Sequence, residues 1–217
     1  MPLPAHPLRL SAVVPGSIRT PRLLLRPMLD SDRERYLDAL RASRAELDRW
    51  MPLHLEGETD DRLFDRQVRL CRDGERARTC WRRVAILDDA SPAAGAIAGQ
   101  FNINAISRGL EWGADVNWWV RTDLCSRGYA SEAARALIDH AFAPLPRGLG
   151  LHRLSCGIVP DNQASVRLAR RLGFARRGDE RTYLASGSTW MLHELWSRGP
   201  RDVPIAPDTT RDAEPAD

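Results

Sequence analysis

Lysine is absent from the chain: all 32 of its basic residues are arginine, set against 29 acidic residues for a net charge of +3. So mild a balance excludes the broad positive field of a nucleic-acid binder, and no aromatic-plus-basic RNA motif is present. An arginine fork can grip phosphates, but arginine on a solvated surface is the plainer account of this composition. The chain also has no lysine of its own to be modified. Cysteine is scarce. Cys71, Cys80, Cys125 and Cys156 lack the short paired spacing of zinc sites and read as free thiols in a reducing compartment, with no metal expected. No apolar run reaches the length of a membrane span, and the proline-bearing start, Met1 to Leu10, lacks the make-up of a signal peptide. A cytoplasmic location without a membrane partner is the expectation.

Repeats and low-complexity blocks are missing too. At 217 residues, 43% hydrophobic and 28% charged, the chain can bury one core unaided. Residues 1–17 and 198–217, rich in proline and without periodicity, read as tails around a working domain at 18–197. Leu23 to Leu25 reads as a short strand ended by Pro27. Helical patterns follow at Ser31 to Leu40, with Asp30 or Ser31 as cap, and at Thr59 to Arg72. The period then changes, predicting strands at Trp81–Leu87, Ala93–Ile103 and Trp112–Val120, separated by turn residues. A helix over Tyr129–Phe142 comes next. The last third alternates a strand at Arg153–Val159, a helix at Asn162–Leu172, and strands at Ala175–Leu184 and Thr189–Trp196. That order is a mixed α/β sheet with a largely antiparallel first half.

The most informative stretch runs from Val116 through Val120 into Cys125-Ser126-Arg127-Gly128-Tyr129-Ala130-Ser131. A strand enters a short loop that opens a helix, aiming unpaired N–H groups and the positive helix end at one point, which suits a pyrophosphate. Gly128 removes the side chain where backbone must approach the anion, and Ala130 keeps the next position small. A glycine at such a junction can also be a turn residue alone.

The stretch resembles the acyl-CoA signature of GNAT acetyltransferases, a Gln or Arg, two residues, Gly, one residue, then Gly or Ala; Cys125, Gly128 and Ala130 occupy those positions, with cysteine departing from the pattern. Thr20-Pro21-Arg22-Leu23-Leu24-Leu25-Arg26-Pro27 resembles the opening strand of the RimJ/RimL branch of that family, the ribosomal-protein N-acetyltransferases, and Leu172-Gly173-Phe174 its penultimate helix end. The resemblance implies a twisted mixed sheet of six to seven strands with about four helices, splayed between its fourth and fifth strands. Those two are here Trp112–Val120 and Arg153–Val159. It also implies acetyl-CoA, or another acyl-CoA such as succinyl-CoA, as cosubstrate. A primary amine, a protein N-terminus or a small molecule, is the implied partner, and a homodimer is left open.

Attack of a neutral amine on a thioester needs positioning, a base, an oxyanion partner and an acid for the leaving thiolate. Ala114-Asp115-Val116 resembles the family's Ala-Glu-Ile, which makes Asp115 the candidate base, or else a strand carboxylate paired with an arginine; Glu111 is the lesser candidate. Asn162 resembles the asparagine that holds the CoA arm, and Ser165 the serine proposed as thiolate partner in the RimL-like branch. Many relatives carry a tyrosine where this chain has Ala169. Asn162 and Asp161 also suit plain helix capping. Backbone N–H of Trp119 or Val120 can receive the thioester oxygen if a bulge frees it. Trp50, in Trp50-Met51-Pro52, and Trp118 are the acceptor-side candidates, with core packing as the alternative; His193 reads as structural. Arg82, Arg83 and Arg121 are candidates for holding a carboxylate on the acyl group. A CoA-binding regulatory domain without catalysis and an arginine-rich RNA binder are the competing classes.

Overall fold

The computed structural model describes residues 14–186 and 189–200, so the expected tails lie almost wholly outside the described residues. Its strands are β1 (Ile18–Arg19), β2 (Leu23–Arg26), β3 (Trp81–Leu87), β4 (Ile97–Ser107), β5 (Gly113–Val120), β6 (Arg153–Ile158), β7 (Ala175–Ser186) and β8 (Thr189–Arg198). The α-helices are α1 (Arg33–Ala42), α2 (Arg44–Trp50), α3 (Asp60–Arg76), α4 (Tyr129–Phe142) and α5 (Gln163–Arg171). They surround one sheet in the order β1-β2-β3-β4-β5-β6-β8-β7. Every neighbouring pair is antiparallel except β5 and β6, which run parallel and are joined through α4.

The sheet is the expected mixed α/β one, with eight strands instead of six to seven and five α-helices instead of about four. β1 is two residues long, too short to leave a period in the sequence. The helix expected to end at Leu40 is followed by a second, α2, across buried Ser43, whose Oγ accepts from the N–H of Thr122 at 3.2 Å. Asp30–Asp32 form a 3-10 turn, so α1 has Asp32 in its N-cap position and not Asp30 or Ser31; the Asp32 side chain does not cap the helix but accepts a bidentate bond from buried Arg26, 2.6 Å on each arm. The strand expected at Ala93–Ile103 begins four residues later and runs on to Ser107. Ser91 to Ala96 close instead into turns, with the N–H of Ala94 donating to Ser91 and that of Ala96 to Ala93.

Apolar side chains of alternate strand positions fill both faces of the sheet. One core joins Ala114 and Val116 of β5 to α4 and α5 through Leu137, Ile138 and Val166. The other joins Trp119 to Tyr36, Leu40 and Phe64 of α1 and α3. The period of two sends Trp118 and Trp119 to opposite faces, as the sequence predicts. Trp118 leans on Phe174 with ring centroids 6.4 Å apart, and Trp119 meets Tyr36 edge-on at 6.0 Å.

Candidate active site

β5 and β6 pair only at Gly113↔Arg153, Ala114↔Leu154 and Asp115↔Ser155. Beyond Asp115 both strands continue, to Val120 and to Ile158, without pairing to each other, so a gap opens toward their carboxyl ends. Ligands of parallel strands collect at that end of a sheet. The pairing of β5 with β4 is regular from Gly99↔Val120 to Asn104↔Asp115, and its one irregularity lies at the other end, between Asn104 and Ser107. A bulge at Trp119–Val120, the condition set for a free N–H there, is therefore not present.

The divergence of β5 and β6 frees the backbone instead, and it frees different residues. The N–H of Arg121 donates to Ala98 of β4 at 2.8 Å, and the carbonyl of Trp119 faces Gly99 so closely that a Cβ there would stand 2.2 Å from it. With a period of two, Trp119 points its main-chain groups at β4, while those of Trp118 and Val120 point into the gap. The Trp119 N–H is thus spent on the sheet, and Val120 retains the role suggested for the pair.

At the mouth of the gap, Thr122–Leu124 form a short 3-10 turn and Gly128 sits at the N-cap of α4 with φ 86°, after Ser126 with φ 62°. No side chain caps α4, so the N–H groups of its first turn face outward with Cys125, Ser126, Arg127 and Gly128 exposed around them and Ala130 and Ser131 half-buried. A Cβ on Gly128 would meet only an Arg22 nitrogen, at 3.2 Å, so the left-handed φ and the open approach, not crowding, call for glycine. The loop is braced from β2: Arg22 donates to the Arg127 carbonyl at 2.9 Å and to Glu132 at 2.7 Å, and Thr20 donates to Glu132 at 2.6 Å. Burial raises the Glu132 carboxyl, but the bonds from Thr20 and Arg22 outweigh it and hold the group below its ordinary value. The Tyr129 hydroxyl donates to Asp89 at 2.9 Å. Although Cys125 is exposed, partial desolvation and then Glu46 and Asp123 push its thiol above the ordinary cysteine value, which disfavours a reactive thiolate.

Across the gap, the turn after β6 leads into α5. Asn162 caps that helix, its Oδ1 accepting from the N–H of Ser165 at 3.1 Å. The Asn162 Nδ2 and the Ser165 hydroxyl, both on half-buried residues, make no hydrogen bond among the described residues. Capping and an outward donor thus coexist in Asn162.

Asp115 occupies the last paired register, at the vertex of the gap. It makes no hydrogen bond or ion pair among the described residues, because Arg153, which would be its natural partner, donates to Glu111 at 2.6 Å. Although the Asp115 side chain touches solvent, the surrounding protein withholds enough water to push its carboxyl above the ordinary aspartate value, against a lesser downward pull from Arg153.

The fold has counterparts in known proteins. Residues 22–175 match the family model of the acetyltransferase (GNAT) domain. The chain belongs to the GNAT acetyltransferase family. Among curated GNAT-like relatives, YnaD of Bacillus subtilis, an uncharacterised N-acetyltransferase, is 28% identical over 90 residues, 38% of this chain and 51% of YnaD. The chain spans about half the length of the curated relatives it matches. Among solved structures, Mycobacterium smegmatis RimJ in complex with CoA-disulfide is similar with a TM-score of 0.70 and 23% identity, covering 85% of each chain. Ribosomal-protein-S5-alanine acetyltransferase of Vibrio fischeri is similar with a TM-score of 0.70 and 20% identity, covering 86% of this chain and 97% of that one.

Within this GNAT fold the family's fourth and fifth strands are β5 and β6, since two-residue β1 adds one to the count. Ala169, in place of the frequent tyrosine, is fully buried in the α4–α5 core. Trp50 ends α2 half-buried, its Nε1–H donating to Glu46 at 2.9 Å. Trp118 lies on the α4–α5 face and Asp115 on the opposite one, so the two do not line one surface. His193 is buried, its Nδ1 bonded to the Met191 carbonyl at 2.7 Å. Arg83 is buried, pairs with Glu75 at 2.5 Å and stacks on Trp81, and Arg121 pairs with Asp38 and Asp123; both are structural rather than carboxylate binders.

Sequence reasoning missed a polar band on the α1–α3 face. Gln100, Asn102 and Asn104 alternate along β4, opposite Trp119, Asn117 and Asp115 of β5. Asn102 donates to Asn117 at 2.8 Å, while the Oδ1 atoms of Asn102 and Asn104 are buried without a partner. The signal was available: polar residues recur every second position in a strand whose other face carries Phe101 and Ile103. Among the described residues no cluster could hold a metal ion, and no helix is long and apolar enough to cross a membrane.

Proposed function

We propose that the protein transfers the acyl group of an acyl-CoA, acetyl before succinyl, to a primary amine, and that a protein or peptide N-terminus is preferred over a lysine side chain. The observation that carries this is the coincidence of the β5–β6 gap with an uncapped α4 N-terminus at its mouth and unpaired Asp115 at its vertex. The pyrophosphate of CoA rests on the N–H groups of Gly128 to Ser131, beside the Arg127 side chain. The pantetheine arm lies between the strands, with the Asn162 Nδ2 as donor. Neither the match to relatives over half their length nor a fold likeness below 25% identity defines the acceptor, so the amine is argued from chemistry.

The amine attacks the thioester carbon as Asp115, directly or through water, takes its proton. An N–C bond forms, the carbonyl electrons move onto oxygen at the Val120 N–H, and the C–S bond breaks as the charge returns. The Ser165 hydroxyl supplies the proton for the leaving sulfur and regains one from solvent. An α-amine has a pKa of about 7.7–8.0 and lysine about 10.4, so deprotonating lysine near neutrality costs about 3 kcal/mol more. A site whose base is a single solvent-touching aspartate should favour the amine that is easier to neutralise.

Thiol release from acetyl-CoA tests this with a free-N-terminus peptide and its N-blocked, lysine-bearing counterpart, from about pH 6.5 to 9. Higher kcat/KM for the free terminus is expected. Preference for lysine throughout sinks the acceptor assignment, and CoA binding with no thiol release for any amine favours the regulatory alternative.

A further inference from the structure

On the α1–α3 face, beside Asp115, opens a cleft of about 550 Å³ whose lining includes Arg66, Arg69, Asp73, Arg82 and Asn104. Three guanidinium groups face one carboxylate there, and they are not equally engaged. Arg66 is saturated, donating to Glu58 at 2.7 and 2.6 Å and to the Leu53 carbonyl at 2.7 Å. Arg69 is exposed and makes no hydrogen bond or ion pair among the described residues. Arg82 gives Nη1–H to Gln67 at 3.2 Å and interacts with the Cys80 thiol beside it, which leaves part of its donor capacity unused. Arg69 and Arg82 thus keep hydrogen-bonding capacity that Arg66 has spent, and a charged donor is the stronger kind for a carboxylate.

Position ties the cleft to the reaction. Asn104, part of its wall, is the register partner of Asp115, and opposed side chains in an antiparallel pair start about 5 Å apart. Arg82 lies one strand further on, paired with Asn102. At about 4.8 Å per strand spacing, and with a two-residue offset along the strand of about 3.3 Å per residue, Arg82 is roughly 12 Å from Asp115 across the sheet. An extended peptide advances about 3.3 Å per residue, so a chain whose amino terminus is at Asp115 carries its second or third residue most of the way, and an acidic side chain there and the long Arg82 side chain span the rest.

We infer that this cleft binds the carboxylate of an acidic residue at the second or third position of the acceptor peptide. The carboxylate accepts from Arg69 and from the part of the Arg82 guanidinium that lines the cleft, and Asn104 marks the path between this subsite and the amine. Asp73 works against the anion, and the two unsaturated arginines outweigh it. The inference rests on the N-terminal acceptor proposed above and adds a sequence preference to it.

The test uses peptides with free amino termini that differ only in Glu or Gln at position two or three, compared by kcat/KM with the wild-type enzyme, Arg69→Gln and Arg82→Gln. The wild type should prefer one of the Glu peptides about tenfold, through KM, as expected for one charge-assisted hydrogen bond. In Arg69→Gln, an exposed change that leaves the fold intact, and in Arg82→Gln, the ratio should fall toward unity while turnover of the Gln peptide stays unchanged. Equal use of Glu and Gln peptides by the wild type, or a preference that survives both substitutions, overturns the inference and leaves the N-terminal acceptor standing. Absence of turnover on every free-terminus peptide, with a small amine still acylated, removes the acceptor assignment and the inference with it.

Discussion

Gly128 illustrates how one residue can be required for two separable reasons. Its φ of 86° is a conformation that costs an ordinary L residue about 1–2 kcal/mol, whereas asparagine enters it more readily. If backbone approach to a phosphate is the second reason, Gly128→Ala and Gly128→Asn should both weaken CoA binding, with Asn losing less thermal stability than Ala. Calorimetric CoA titration beside a melting curve separates the two. CoA affinity that merely follows stability, retained in Asn and lost in Ala, leaves Gly128 a turn residue. Asp115 makes the second prediction at this scale. Partial desolvation raises its carboxyl, so the protonated form persists to higher pH than in a free aspartate, and only the ionised form can act as base. Activity should therefore rise with pH through a limb set above the ordinary aspartate range. Arg153 pulls that value down, so Arg153→Gln should move the limb to still higher pH, and Asp115→Asn should lower kcat by about 10²–10⁴-fold and remove the limb. A limb that survives Asp115→Asn in kcat/KM profiles assigns the base elsewhere.

Elements were legible in the sequence wherever their period was sustained. β3, β5, α4 and α5 fall within a few residues of expectation because each alternates or repeats long enough to mark one face. β1 escaped notice at two residues, and the break between α1 and α2 lies at Ser43, which accepts a tertiary bond from Thr122 that no local pattern encodes. β4 was displaced because Ala93 to Ala96, apolar enough for a strand, close into turns. The helix start at Asn162 shows the same limit for a site residue: capping and CoA contact both ask for asparagine there, and the structure makes the cap visible while leaving Nδ2 outward. Asn162→Ala should cost about 1 kcal/mol of stability. Asn162→Asp keeps the capping oxygen and replaces the donor, so it should retain stability yet bind CoA more weakly. Unchanged CoA affinity in the Asp variant means that Asn162 is a cap alone.

At the scale of the whole molecule, the gap arises from the meeting of one parallel pair with an otherwise antiparallel sheet. α4 crosses from β5 to β6, and β8 takes the other side of β6, so the two parallel strands share only their first three registers. From sequence the gap was reachable only through family resemblance, because strand divergence is a property of pairing and not of either strand. For the same reason a free N–H on β5 is, from sequence, conditional on a bulge, whereas the divergence from β6 leaves the Val120 N–H unpaired in the sheet. The polar band of β4 and the arginine cleft, by contrast, lie partly in plain periodicity and became meaningful once Asn104 was seen opposite Asp115. The central claim is that acyl-CoA occupies the β5–β6 gap with its phosphates on the start of α4. Hydrogen–deuterium exchange followed by mass spectrometry, with and without acetyl-CoA, tests it most directly. Exchange should slow in segments 116–120, 127–131 and 162–165 and stay unchanged along α3. Protection confined to other segments, or none in these three at saturating acetyl-CoA, contradicts it.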